Sequence, residues 1–191
     1  MSKLMVIMLL CGVCTLTAQE EKATSPFHHQ IGVSGSTISG MGISYQYIFT
    51  DNYRMKLSGF VLSSTASTIY DSDDLYSSIG LEGQKTLFLT EATRLYVLLG
   101  VGMYRERSQY FPENGFSSYA RTENTYTGGT GFGIELIAAE RISFHFDVGL
   151  AYTFKERKYA SIDGSTPPVS PTFRSEVGIG IAGGLGFGYR F

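Results

Sequence analysis

The sequence predicts an all-β protein, an antiparallel up-and-down transmembrane β-barrel of about eight strands. Three observations predict it. The final segment alternates apolar and nearly bare positions over a longer run than the five or six residues of an ordinary strand. Short turns alternate with long polar segments along the chain. An export-type segment stands at the N-terminus.

The N-terminal segment has the three parts of a secretory signal. Lys3 supplies the positive region, Leu4 to Val13 the apolar core, and Cys14 to Gln19 a cleavage region ahead of Glu20. The chain is therefore expected to divide into a signal peptide, 1–19, and a single barrel domain, 20–191. The apolar core is too short for a spanning helix, which takes roughly 20 residues, and no long apolar run follows it. Cys11 and Cys14 both lie in this segment, and neither follows the Leu-(Ala/Ser)-(Gly/Ala) pattern of a lipidated cysteine. Cleavage leaves no thiol, which excludes disulfides, cysteine nucleophiles and cysteine-held zinc. The net charge of −2 gives no basic patch of the kind nucleic acid requires. The mean hydropathy of +0.02 hides the membrane, because apolar and polar positions cancel along alternating strands.

The strands follow in chain order. His28 to Ser36 and Met41 to Phe49 flank a tight connection at about Thr37 to Gly40. Arg54 to Leu62 comes next. Tyr76 to Leu89 sets Ile79, Leu81, Leu87 and Leu89 on one face, with Glu82 and Gln84 on the other. Lys85 falls on the apolar face there, so it either snorkels or marks a bulge. Arg94 to Tyr104 carries Leu95, Val97, Leu99, Val101 and Met103 outward. Thr125 to Ile137 carries Tyr126, Phe132, Ile134 and Leu136 outward and Glu135 inward. Ile142 to Phe154 is the most regular, with aromatics at both ends of its apolar face and aliphatics between them. In the last strand every odd position from Val177 to Phe191 is apolar or glycine, and most even positions are glycine.

Short turns are expected at Thr50 to Tyr53, Thr90 to Thr93 and Ala138 to Arg141. Long loops are expected at Thr65 to Leu75, Arg107 to Asn124 and Arg157 to Arg174. An even strand number then puts both chain ends on the periplasmic side with the short turns.

The closing run Gly186-Phe187-Gly188-Tyr189-Arg190-Phe191 resembles the C-terminal sorting signal of outer-membrane barrels, carried by Phe187, Tyr189 and Phe191. The whole mature chain resembles the small bacterial outer-membrane β-barrel family of the OmpA/OmpX type and its porin-like relatives. The resemblance rests on architecture and on the terminal Phe. It implies location in the cell outer membrane, contact with outer-membrane lipids and lipopolysaccharide, and insertion by the barrel-assembly machinery. No peptidoglycan-binding module is expected after Phe191.

Eight strands leave room inside only for side chains. The inward polar set is read as Gln30, Gln46, Lys56, Glu82, Gln84, Glu135, His145, Asp147, Glu176 and Arg190, with Lys56 and Arg190 partnered by carboxylates. Inward Phe60, Phe88, Tyr96 and Leu98 would obstruct a channel. His145 and Asp147 share a face and are read as a structural hydrogen bond rather than a catalytic pair. Ser143 and His145, like His28 and His29, fall at the periplasmic end, the wrong one for an enzyme acting on outer-leaflet lipid. Asp71 to Asp74 is read as a solvated acidic loop and Ser165 to Pro171 as a stiff extended one. The glycine runs lie inside strands with no helix after them, so they are not nucleotide loops. No catalytic residue, metal ligand or cofactor is expected, and no surface ligand is named. The function expected is a non-enzymatic, side-chain-plugged barrel with an envelope-structural or surface-interaction role. A narrow porin-like channel is the alternative, and a lipid A-modifying enzyme a third reading.

Overall fold

Alternating side chains with one apolar face dictate strands that close on themselves, because a membrane offers no partner to an open sheet edge. The computed structural model describes residues 27–67, 70–112, 119–161 and 174–191. It contains strands β1 (His29–Ser36), β2 (Gly40–Ile48), β3 (Tyr53–Ser67), β4 (Tyr70–Leu89), β5 (Thr93–Pro112), β6 (Tyr119–Ala138), β7 (Ile142–Ser161) and β8 (Arg174–Arg190). They pair antiparallel in chain order, and β8 closes on β1. His29 and Phe191 complete the closure by exchanging backbone hydrogen bonds of 3.2 and 2.9 Å.

The register fixes the geometry. Following facing residues from Val177 through Phe154, Tyr126, Met103, Ile79, Gly59, Ile43 and Val33 returns to β8 at Phe187. The ring therefore closes ten residues further along the same strand. That stagger in eight strands tilts them by about 40° to the axis. Along β7 the outward apolar run from Ile142 to Phe154 then rises roughly 30 Å, close to the thickness of a hydrocarbon core. Aromatic rings bound this band at both ends. Phe144 packs on Phe187 at the short-turn end, and Tyr126 stacks on Phe154 at the other.

Several expectations change. The described parts of the segments expected as long loops are strand, with 68–69, 113–118 and 162–173 outside the described residues: β3 and β4 run to Ser67 and back from Tyr70, and Asp71 to Asp74 belongs to β4. β5 continues to Pro112, β6 starts at Tyr119, and β7 runs to Ser161. These extensions carry the wall beyond the apolar band, where outward residues turn polar and alternation no longer marks a strand. Phe88 faces outward, not inward, because a bulge between Thr86 and Phe88 shifts the phase and exposes Leu87 and Phe88 together. Lys85 precedes the bulge and stays on the outward face opposite Tyr53. The segment Ser165 to Pro171, the region 1–19 and both cysteines lie outside the described residues.

Candidate functional site

The first two strands are much shorter than the rest, and the turn between them does not continue the wall. Its residues Ile38 and Ser39 fold into the barrel. Ile38 is 0% exposed and packs with Tyr96, Leu98, Ala151 and Ala182 in an apolar cluster inside the ring. The turn is tied on several sides. Thr127 Oγ1 donates to the Ile38 carbonyl at 3.0 Å, and Thr37 N–H donates to the Gly183 carbonyl at 3.1 Å. Ser39 Oγ donates to Glu82 Oε2 at 2.5 Å, and Ser58 Oγ donates to the Ser39 carbonyl at 2.8 Å. Gly40, with φ of +80°, completes the reversal in a region that favours glycine.

Room for the plug comes from inward glycines. A Cβ on Gly80 would run into the Ser39 carbonyl, and one on Gly100 would meet Ile38 and Ser39. The same pairing of large with small recurs below. The Tyr96 ring occupies the space over Gly133, His145 that over Gly186, and Gln30 that over Gly188. The nearly bare even face of β8 is thus the complement of bulky groups on its neighbours.

Between the plug and the short-turn end lies a buried charge network. Glu135 accepts hydrogen bonds from Arg54 at 3.0 Å and Arg94 at 2.7 Å, and forms an ion pair with Arg190 at 2.8 Å. Lys56 pairs with Glu82 at 2.9 Å, and Gln84 donates to the same carboxylate oxygen at 2.7 Å. Arg94 also donates to Gln84, which accepts from Gln46 at 3.2 Å, so the two clusters form one network. The Arg94 guanidinium lies 4.2 Å from the centre of the Tyr96 ring. Tyr96 in turn donates to Asp147 Oδ1 at 2.6 Å.

Lys56, Glu82, Gln84, Glu135, His145, Asp147 and Arg190 therefore all sit buried inside the ring, and Gln30 and Gln46 with them. Glu176 does not: it is exposed beyond the apolar band and pairs with Arg157 at 3.1 Å. No hydrogen bond joins His145 to Asp147 among the described residues, because the carboxylate is turned to Tyr96. Arg54 and Arg94 are network members that sequence reasoning left out. Their inward parity with Lys56 and with Tyr96 was the signal that would have found them.

A second polar cluster lines the concave side of the wall extension. Glu123 accepts from Arg121 at 2.7 Å and from Arg157 at 2.8 Å. Partial burial works to raise its carboxyl, but the hydrogen bonds from Arg121 and Arg157 outweigh it and hold it below the usual carboxylate value. Among the described residues no group of three or more His, Cys, Asp or Glu is placed to hold a metal ion.

A closed, staggered ring with an apolar outer band and a packed polar lumen is the fold of a small outer-membrane β-barrel protein. A solved structure agrees. A major outer membrane protein from Thermus thermophilus superposes with a TM-score of 0.51 at 13% identity, covering 85% of this chain and 98% of that one. Ail, the attachment invasion locus protein of Yersinia pestis, gives 0.41 at 18% identity over 85% and 96% of the two chains. CarO2 of Acinetobacter baumannii gives 0.40 at 10% identity over 89% and 100%. No protein-family model and no curated protein matches the chain.

Proposed function

We propose that the chain is a non-enzymatic integral protein of the outer membrane, with a sealed lumen and an envelope-structural or surface-interaction role. The observation that carries this reading is the Ile38 plug above the Glu135–arginine network, which leaves side chains where a channel would need water. In this reading the short turns and both chain ends face the periplasm, and the extended ends of β3 to β8 face outward. Those extensions supply the surface for partners. The signal peptide at 1–19 directs export, and Phe187, Tyr189 and Phe191 present the sorting signal to the barrel-assembly machinery. Ser143 and His145 lie near the periplasmic mouth, away from outer-leaflet substrates, which favours the non-enzymatic reading over a lipid A-modifying one.

The test is conductance in a planar bilayer, using refolded protein that shows a heat-modifiable gel band. A silent membrane is expected. Discrete, reproducible current steps would overturn the sealed lumen. A lipid A mass spectrum altered by overexpression would overturn the non-enzymatic reading.

A further inference from the structure

The hairpin that folds inward leaves its place in the wall empty. β2 begins at Gly40 and its pairing with β3 ends at Ile43 opposite Gly59, so β3 from Phe60 to Ser67 pairs with β4 alone. Beside this free edge lies a groove of about 600 Å³. It is lined chiefly by the outward residues Ile43, Leu57, Ile79 and Met103 around Gly59, together with inward-parity Ser58, Phe60 and Ser78, and Arg105 closes one end. Ile43 and Ile79 are 67% and 58% exposed, surface that is unfavourable in water and at home against hydrocarbon.

The groove has a direction. On β5 the outward apolar run ends at Met103, directly across from Tyr126 of the aromatic girdle. Arg105 and Arg107 are the next two outward positions, past the end of that strand's apolar run and beside the girdle. Directly across from Arg105 are Ser77 and Asn124, and across from Arg107 are Leu75 and Thr122, all uncharged. Neither arginine forms an ion pair among the described residues. An apolar cleft of this volume, within the roughly 300–1,000 Å³ of small-molecule sites, thus ends at two cations without a carboxylate facing them.

We propose that this groove binds the lipid A part of lipopolysaccharide, one acyl chain lying along Gly59 and a phosphate held by Arg105 with help from Arg107. A guanidinium matches a phosphate with two parallel hydrogen bonds, and burial of the chain fixes which phosphate is presented. The inference rests on the outer-membrane reading above, which places these arginines in the outer leaflet's headgroup layer.

Native mass spectrometry of the full barrel, purified from membranes in mild detergent, tests it with three probes: lipid A, enzymatically dephosphorylated lipid A and phosphatidylglycerol. Wild type should retain one lipid A. Arg105→Glu and Ile79→Trp, both at exposed outward positions, should each lower that occupancy at least tenfold while the gel band stays heat-modifiable. Dephosphorylated lipid A should bind as weakly to wild type as lipid A does to Arg105→Glu. Equal lipid A occupancy in wild type and both variants would overturn the site. Retention of phosphatidylglycerol as strong as that of lipid A would overturn the choice of ligand. Failure of the outer-membrane reading shows differently: the protein would then appear in the aqueous fraction before any lipid is added.

Discussion

The Ser39 hydroxyl, at the tip of the β1–β2 turn, donates to Glu82 Oε2 on β4, and Glu82 is also the partner of Lys56. One carboxylate therefore holds the plug and balances the lumen's lysine. The seal and the charge network are coupled through a single side chain.

Gly80 tests the seal from the wall side. A side chain there would collide with the Ser39 carbonyl, which is backbone and moves only if the turn moves. Gly80→Val should expel the turn, giving current steps in a bilayer where wild type gives none and faster protease cleavage at Thr37 to Ser39. A silent, protease-resistant Gly80→Val barrel would sink the plug.

The Lys56–Glu82 pair should behave as a unit. Lys56→Met leaves a buried carboxylate short of its cation and should cost about 3–5 kcal/mol. Lys56→Met with Glu82→Gln removes both charges while keeping an amide for Ser39 and Gln84, and should recover most of that loss. Urea unfolding in lipid vesicles measures both. A double variant no more stable than the single would mean that the charges are not compensating one another.

Ala139 and Glu140, in the turn between β6 and β7, have φ of +48° and +61° without being glycine. Left-handed conformations cost side-chain-bearing residues about 1–2 kcal/mol each. Glu140→Gly should therefore raise the unfolding midpoint, by an amount equivalent to about 1 kcal/mol after glycine's own entropic cost. An unchanged or lowered midpoint would contradict the strained turn.

The Glu123 cluster predicts acid sensitivity confined to the wall extension. A carboxyl held below its unfolded value contributes stability above that value and loses it as pH falls through the folded one. Lowering the pH from 6 to 3 should increase protease cleavage in the outer parts of β6 and β7 in wild type. Glu123→Gln should already be cleaved readily at pH 6 and change little. Equal pH responses in the two proteins would remove the carboxylate from the explanation.

Much of this was readable from side-chain alternation. The outward faces of β5, β7 and β8 are apolar at every second position, and an inward Glu135 or His145 stands out against them. Alternation failed in three ways. Beyond the girdle, outward residues such as Arg105 and Glu156 are polar too, so the strand continues with no pattern to mark it. At Thr86 a single extra residue reverses the parity, which local sequence did not locate. The inward fold of Ile38 is set by tertiary space. Gly80 and Gly100 supply that space from β4 and β5, and only the barrel's stagger brings them level with the turn. Arg54 and Arg94 are a different omission, since their parity with Lys56 and Tyr96 points inward.

The β1–β2 hairpin pairs with β3 only over Ile43–Ile48 and with β8 only over Gln30–Ser36, while β4 to β7 are laced together along nearly their whole length. Opening events in a folded chain tend to release contiguous units with the fewest bonds to break. Here that unit carries a piece of the wall and the stopper of the lumen together. In hydrogen–deuterium exchange the amides of β1 and β2 should lose protection as one set, at a rate independent of the slower central strands. The barrel is thus a six-strand frame closed by a two-strand shutter.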